Sequence, residues 1–157
     1  MPGDEAPERE AAIERAVRAL ARRDHSAAEL GAKLARAGVS EAVRVDAVET
    51  LERVGYVDDG RFACDRAARL AERGYGDAWI RADLDARGVT SEATEAALAA
   101  LEPEDERGIR AASKAGDAVH QARLLARRGF SDDVIERVLA RAVAHDPPEA
   151  VGYEGFI

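Results

Sequence analysis

Shifting the sequence by fifty residues lays it over itself, and this internal repeat limits the fold more than any other feature. Leu30 falls on Ile80, Leu34 on Leu84, Gly38 on Gly88, Val39 on Val89, Ser40 on Thr90, Ala47 on Ala97 and Leu51 on Leu101. A further shift of 41 carries Leu84 to Leu125, Gly88 to Gly129, Val89 to Phe130, Thr90 to Ser131 and Leu98 to Leu139. Three related units therefore follow in tandem, the third shorter and more divergent. Units this small are expected to share one continuous core in an elongated, curved stack, as helical repeat proteins do.

Each unit reads as three helices. Ile13, Ala16, Val17 and Leu20 mark one face of a first helix that stops near Asp24. Ser26-Ala-Ala-Glu29 fits the capping box, in which the serine oxygen and the glutamate side chain satisfy end amides reciprocally, so a second helix starts there and carries Leu30 and Leu34. Gly38 closes it, Ser40 caps a third helix, and Val43, Ala47, Leu51 and Val54 form that helix's buried line. Gly55 ends the unit; Asp58 and Asp59 then cap a helix striped by Phe62, Ala63, Ala67 and Leu70. Hydrophobic residues make up 46% of the chain but aromatics only 4%, which suits thin helices packed closely. The expectation is an all-α protein of three tandem three-helix repeats at residues 8–56, 57–102 and 103–145. Residues 1–7 are expected to be disordered, and 146–157 form a tail containing Tyr153 and Phe156. The first helix of the third unit has only Ile109 and Ala112 in its stripe, contains Gly108, and is expected to be mobile.

The formal charge of −8 argues against a general grip on nucleic acid unless the cations are segregated on one face. One cysteine, Cys64, forms no intramolecular disulfide, and the sequence has neither an 18-residue apolar run nor a signal-peptide core. A reducing cytoplasm and no membrane partner are the expectation. No nucleophile stands beside a base, and no glycine-rich loop follows a strand, so neither an enzyme nor a cofactor is indicated. His25, His120 and His145 lack companions at metal-ligand spacing and read as surface or half-buried residues. Cys64 reads as a small hydrophobe near the packing face, and Trp79 as a core anchor, with a stacking platform as its alternative.

The helix, glycine turn, helix pairs resemble a helix-turn-helix reader in outline. Their second helix, however, offers Glu41, Asp46 and Glu49 where a phosphate-flanked groove calls for Arg, Lys, Asn or Gln. Arg66, Arg69 and Arg73, spaced three and four apart, form a basic ridge on the central helix, where a partner laid along the array would cross. Arg123, Arg127 and Arg128 add charge on a helix of the third unit. These six arginines are the candidate partner-binding residues.

Taken together, these residues resemble the RecX family, bacterial regulators of the RecA recombinase. The resemblance is carried by Ala19 to Leu30 with Leu34 and Gly38, by Leu51 with Gly55-Tyr-Val-Asp-Asp59 and Arg61-Phe-Ala63, by Gly88-Val89, and by Leu125-Ala-Arg-Arg-Gly-Phe-Ser131. It implies three tandem three-helix repeats and a monomer that binds RecA filaments on single-stranded DNA, inhibiting ATPase, filament extension and strand exchange. Direct contact with the single-stranded DNA inside the filament is left open by the resemblance. Two departures stand out: residues 103–117 are compressed, and Glu104, Asp105 and Glu106 replace a stretch that is often more basic. The alternatives are a helical-repeat scaffold for another protein and a helix-turn-helix-like DNA-binding regulator.

Overall fold

A computed structural model describes residues 5–145. Among them run α1 (Glu5–Leu20), α2 (Ala27–Arg36), α3 (Glu41–Arg53), α4 (Asp59–Glu72), α5 (Asp77–Ala86), α6 (Ser91–Ala99), α7 (Glu104–Ala112), α8 (Ala118–Arg127) and α9 (Asp132–His145), with no strand. The helix starts follow from local chemistry. Ser26 and Glu29 form the capping box, with Glu29 N–H donating to Ser26 Oγ at 3.1 Å and Ser26 N–H to Glu29 Oε2 at 3.3 Å. Ser40, Asp58, Thr90 and Asp117 cap α3, α4, α6 and α8 with their side-chain oxygens. Helix α1 begins at Glu5, so Glu5, Ala6 and Pro7 are helical rather than disordered. The aromatic tail, with Tyr153 and Phe156, lies outside the described residues.

The expected continuous core is not what forms. Buried apolar residues fall into three separate clusters. The first centres on Leu30, Leu34, Ala47 and Leu51. A second is built from Phe62, Ala67, Ile80 and Leu84, and the third from Leu125, Phe130, Val134 and Val138. The physical reason lies in how the units meet. The C-terminal end of α5 abuts the N-terminal end of α2, and the end of α8 abuts the start of α5, so each junction brings together helix termini. Such ends carry unsatisfied amides and carbonyls and call for polar partners instead of apolar ones.

The same joint is built twice. Between units one and two, Ala27 N–H donates to Asp59 Oδ1 at 2.8 Å, and Ser26 Oγ donates to the Arg87 carbonyl at 2.6 Å. Between units two and three, Asp77 N–H donates to Glu104 Oε1 at 2.7 Å, and Gly76 N–H to the Arg128 carbonyl at 2.7 Å. In both joints, a carboxylate from the first turn of one unit's leading helix caps the preceding unit's middle helix. Glu104 thus takes the part of Asp59. Asp105 and Glu106 reach Arg137 and Arg141 on α9, at 2.9 and 3.5 Å, so the acidic departure is spent inside the third unit and its joint. Among the described residues no hydrogen bond or ion pair joins unit one to unit three, so each unit is bonded only to its neighbour in sequence.

Helix α7 is held more firmly than its sparse stripe suggests. Gly108, the residue that weakens it by propensity, is buried, and a Cβ there would meet Val138 Cγ2 at 3.1 Å. Its absence lets α7 approach α9 closely.

Candidate partner-binding surface

Helix α4 buries Phe62, Ala63, Ala67 and Leu70, which turns Arg66, Arg69 and Arg73 away from the core. The three then diverge. Arg66 donates through Nε and Nη2 to Asp83 at 2.8 and 2.7 Å, a bidentate pair with α5. Asp83 also accepts from Arg87 Nε at 3.0 Å, while Arg87 Nη1 reaches Glu29 at 2.6 Å and Arg23 Nη1 reaches the same carboxylate at 3.2 Å. A chain of alternating charges therefore crosses from unit two to unit one, and Arg66 is its first member. The ridge residue expected to face solvent is only 28% exposed at its side chain and is committed to this network.

The consequence can be measured. The Arg66 guanidinium, with help from Arg87, holds the Asp83 carboxyl down at about 2, from an ordinary value of 3.8. A depressed carboxylate contributes stability that is complete above the unfolded value and is lost as pH falls toward the folded one. For Asp83 the contribution is about 2 kcal/mol, lost between about pH 4 and pH 2. Urea unfolding of Asp83→Asn against the parent should show a stability gap that narrows below about pH 4. A gap constant through that window would remove Asp83 from the joint.

Arg69 and Arg73 remain exposed. Arg69 Nη2 lies 3.4 Å from Asp24, a wet pair with both side chains more than 60% exposed (62% and 64%), which contributes little. Arg73 ends α4, and its guanidinium sits 5.5 Å from the centre of the Tyr75 ring. Arg128, from the third unit, sits 5.4 Å from the same ring and donates through Nη1 to the Arg73 carbonyl. Trp79 stacks on Tyr75 with centroids 4.9 Å apart and planes inclined by 17°. Tertiary structure thus gathers Arg73 and Arg128 around a two-ring stack. Arg123 and Arg127 are exposed one turn apart on α8 and have no ion-pair partner among the described residues.

Of the two aromatic residues in this cluster, Tyr75 escapes the sequence reading and Trp79 follows its alternative. Trp79 is 45% exposed and acts as a stacking platform for Tyr75 rather than as a core anchor, because Ile80 and Leu84 set the buried face of α5 and Trp79 lies one position off it. Tyr75 has no local signal beyond following Gly74. Cys64 is exposed as well, one position past the buried pair Phe62 and Ala63. His25 departs in the other direction and is buried, at 7% exposure.

Comparison with known proteins gives a consistent picture. The family model described as "RecX, first three-helix domain" matches residues 12–51, and "RecX, second three-helix domain" matches residues 58–98. The chain is 35% identical over 153 residues to "Regulatory protein RecX" of Stenotrophomonas maltophilia (strain R551-3), covering 91% of each chain. It is 37% identical over 143 residues to "Regulatory protein RecX" of Xanthomonas axonopodis pv. citri (strain 306), covering 91% of this chain and 80% of the relative. Among solved structures, that of RecX from Lactobacillus salivarius superposes with a TM-score of 0.79 over 87% of this chain and 97% of the other, at 18% identity, and supports the fold.

Proposed function

Since the chain belongs to the RecX family of regulatory proteins, we propose that it binds RecA filaments on single-stranded DNA and lowers their ATPase, extension and strand exchange. The observation that carries this reading is the extent of the family match, which spans both of the first two units and 91% of the chain in the curated relatives. The protein would act by occupying surface on its partner, in the cytoplasm, as a regulator of recombination and repair.

The contact surface proposed for RecA is the exposed remainder of the ridge and the cluster beside it: Arg69, Arg73, Arg123, Arg127 and Arg128, with Tyr75 and Trp79. Arginine over aromatic rings is a common anchor in protein interfaces, since it combines charge with low-cost apolar area. Arg66 is left out because its charge is spent on Asp83.

The test is the single-stranded-DNA-dependent ATPase of the cognate RecA, titrated with this protein. The rate should fall to a plateau, and salt should weaken the effect. Arg69→Glu with Arg127→Glu should weaken inhibition about tenfold or more while helicity and thermal midpoint stay near the parent, because both side chains are exposed. Arg66→Glu should instead lower the thermal midpoint. An ATPase rate unmoved by a well-folded parent protein would overturn the reading, and binding to random duplex alone would favour a DNA-binding regulator.

A further inference from the structure

The third unit carries less apolar volume than its predecessors at two matching positions. The shifts of 50 and 41 residues that align the repeats carry Leu30 to Ile80 and then to Gln121, and Leu51 to Leu101 and then to Ala142. Leu30, Ile80 and Leu51 are buried and Leu101 packs on the second core, whereas Gln121 is half-buried and Ala142 exposed. Gln121 turns its amide to the segment after α7, where Nε2 donates to the Gly116 carbonyl at 3.1 Å. The volume left behind is a groove of about 470 Å³ between α7, α8 and α9. Ile109, Val138, Ala142 and Ala144 make its wall mostly apolar, with Arg141 beside them.

In the earlier units the chain past the third helix returns an apolar side chain to the unit's own core. After α3 it turns back, Val57 N–H donating to the Leu51 carbonyl at 3.2 Å, and buries Val57 in the first core. After α6, Leu101 does the same on the second. The third unit has no counterpart among the described residues: α9 continues past Ala142 to His145, and Val143 and Ala144 are exposed.

We propose that this groove is the docking site of the chain's own segment 146–157, which seats the rings of Tyr153 and Phe156 over Ile109 and Val138. Ala144 lines the groove, so the chain leaves α9 at its edge. Pro147 and Pro148 have no N–H to give to the carbonyls of Val143 and Ala144, so they turn the chain off the helix axis at that point. Tyr153 lies nine residues past Ala144, a reach of up to about 30 Å, against about 9 Å along α9 between Val138 and Ala144. The apolar Val151, Tyr153, Phe156 and Ile157 suit the wall. Glu149 and Glu154 suit Arg141, whose pair with Glu106 at 3.5 Å is exposed and weak. A tethered segment is present at an effective concentration on the order of millimolar, so at micromolar protein it outcompetes the same segment of a second copy.

Chymotrypsin acting on the full chain tests this. Cleavage after Tyr153, followed by mass spectrometry, should be at least about tenfold slower than in a free peptide of residues 146–157, because only the undocked fraction is cut. Ala142→Glu sets a charge beneath the docked segment at an exposed position, and should raise the rate about tenfold while helicity stays parental. Val143→Glu, exposed and one position off the groove, should change it less than about twofold. Nuclear Overhauser contacts give a second readout that does not depend on cleavage. The methyls of Ile109 and Val138 should meet ring protons of Tyr153 or Phe156, and these contacts should vanish in Tyr153→Ser with Phe156→Ser, a variant that alters no residue of the three cores. Contacts found only between isotope-labelled and unlabelled chains would put a second copy in the groove and overturn the proposal. Cleavage of the parent at the rate of the free peptide, a parental rate in well-folded Ala142→Glu, or the absence of any ring-to-methyl contact would overturn it as well.

Discussion

Replacing Arg107 by alanine should cost the third unit and its joint about 3–5 kcal/mol, the range for breaking a buried ion pair from one side. Arg107 is 4% exposed, and each of its three guanidinium nitrogens donates a hydrogen bond. Nε donates to the Glu102 carbonyl at 3.0 Å, Nη1 to the Tyr75 carbonyl at 3.1 Å, and Nη2 to the Asp77 carboxylate. Alanine leaves the Asp77 charge and two carbonyls without their donor, beside a cavity where the side chain was. Lysine should recover little, because an ammonium cannot serve three acceptors in the plane that a guanidinium fork serves. Since the three cores are separate, the loss should appear as an early step in urea rather than as a uniform shift. Trp79, the sole tryptophan, stacks on Tyr75 at this joint, so its fluorescence reports the step. A transition at the parental midpoint would mean that Arg107 is not the clamp the geometry makes it.

Gly76→Ala should disrupt the same joint by a different route, at a cost of about 3 kcal/mol or more. Gly76 has φ −84°, which alanine adopts without strain, so the effect is purely one of space. A Cβ there would stand 2.4 Å from the Gly129 carbonyl oxygen and 2.5 Å from Phe130 N. Both are backbone atoms, and no side chain can swing aside. Relief requires α8 to withdraw, which breaks Gly76 N–H to Arg128 O at 2.7 Å and Ala78 N–H to Gly129 O at 3.1 Å. Hydrogen exchange checks it: the amides of Gly76 and Ala78 should lose protection while those around Leu30 and Leu34 keep theirs. Gly31→Ala is the control, since nothing lies within 4 Å of its added methyl, and in mid-helix it should be neutral or stabilise by about 0.5–1 kcal/mol. Parental protection at Gly76 in the variant would show that the backbones are not in contact in solution.

Much of this fold is legible in the chain because its signals are local. A cap such as Ser40 on Val43 N–H acts over three residues. The Leu30 and Leu34 stripe repeats within a turn, and the glycines that end helices do so by their own conformation, as Gly38 and Gly88 show at φ 83° and 72°. Gly88 illustrates where that legibility stops. Its φ marks it as a helix end, but only the fold reveals that a Cβ there would also meet Ala28 Cβ at 2.4 Å, so the same residue closes a helix and seats a joint.

The sequence by itself determined the all-α class, the threefold repeat, most helix starts and the family, all of which rest on periodicity and on bonds spanning a few residues. Tertiary structure alone decided that the array has three cores rather than one, and which charges are free. Arg66 and Arg69 occupy the same flank of α4 and look alike in sequence, yet one is locked to Asp83, 17 residues on, and the other stands in water. Trp79 stands outside the cores and stacks on Tyr75, whose ring also meets Arg128 from the third unit. The repeat itself sets Gln121 and Ala142 opposite larger apolar residues of the earlier units, but the groove they leave exists only once α7, α8 and α9 fold together. Contacts between distant residues depend on how helix ends meet, and no local period encodes that.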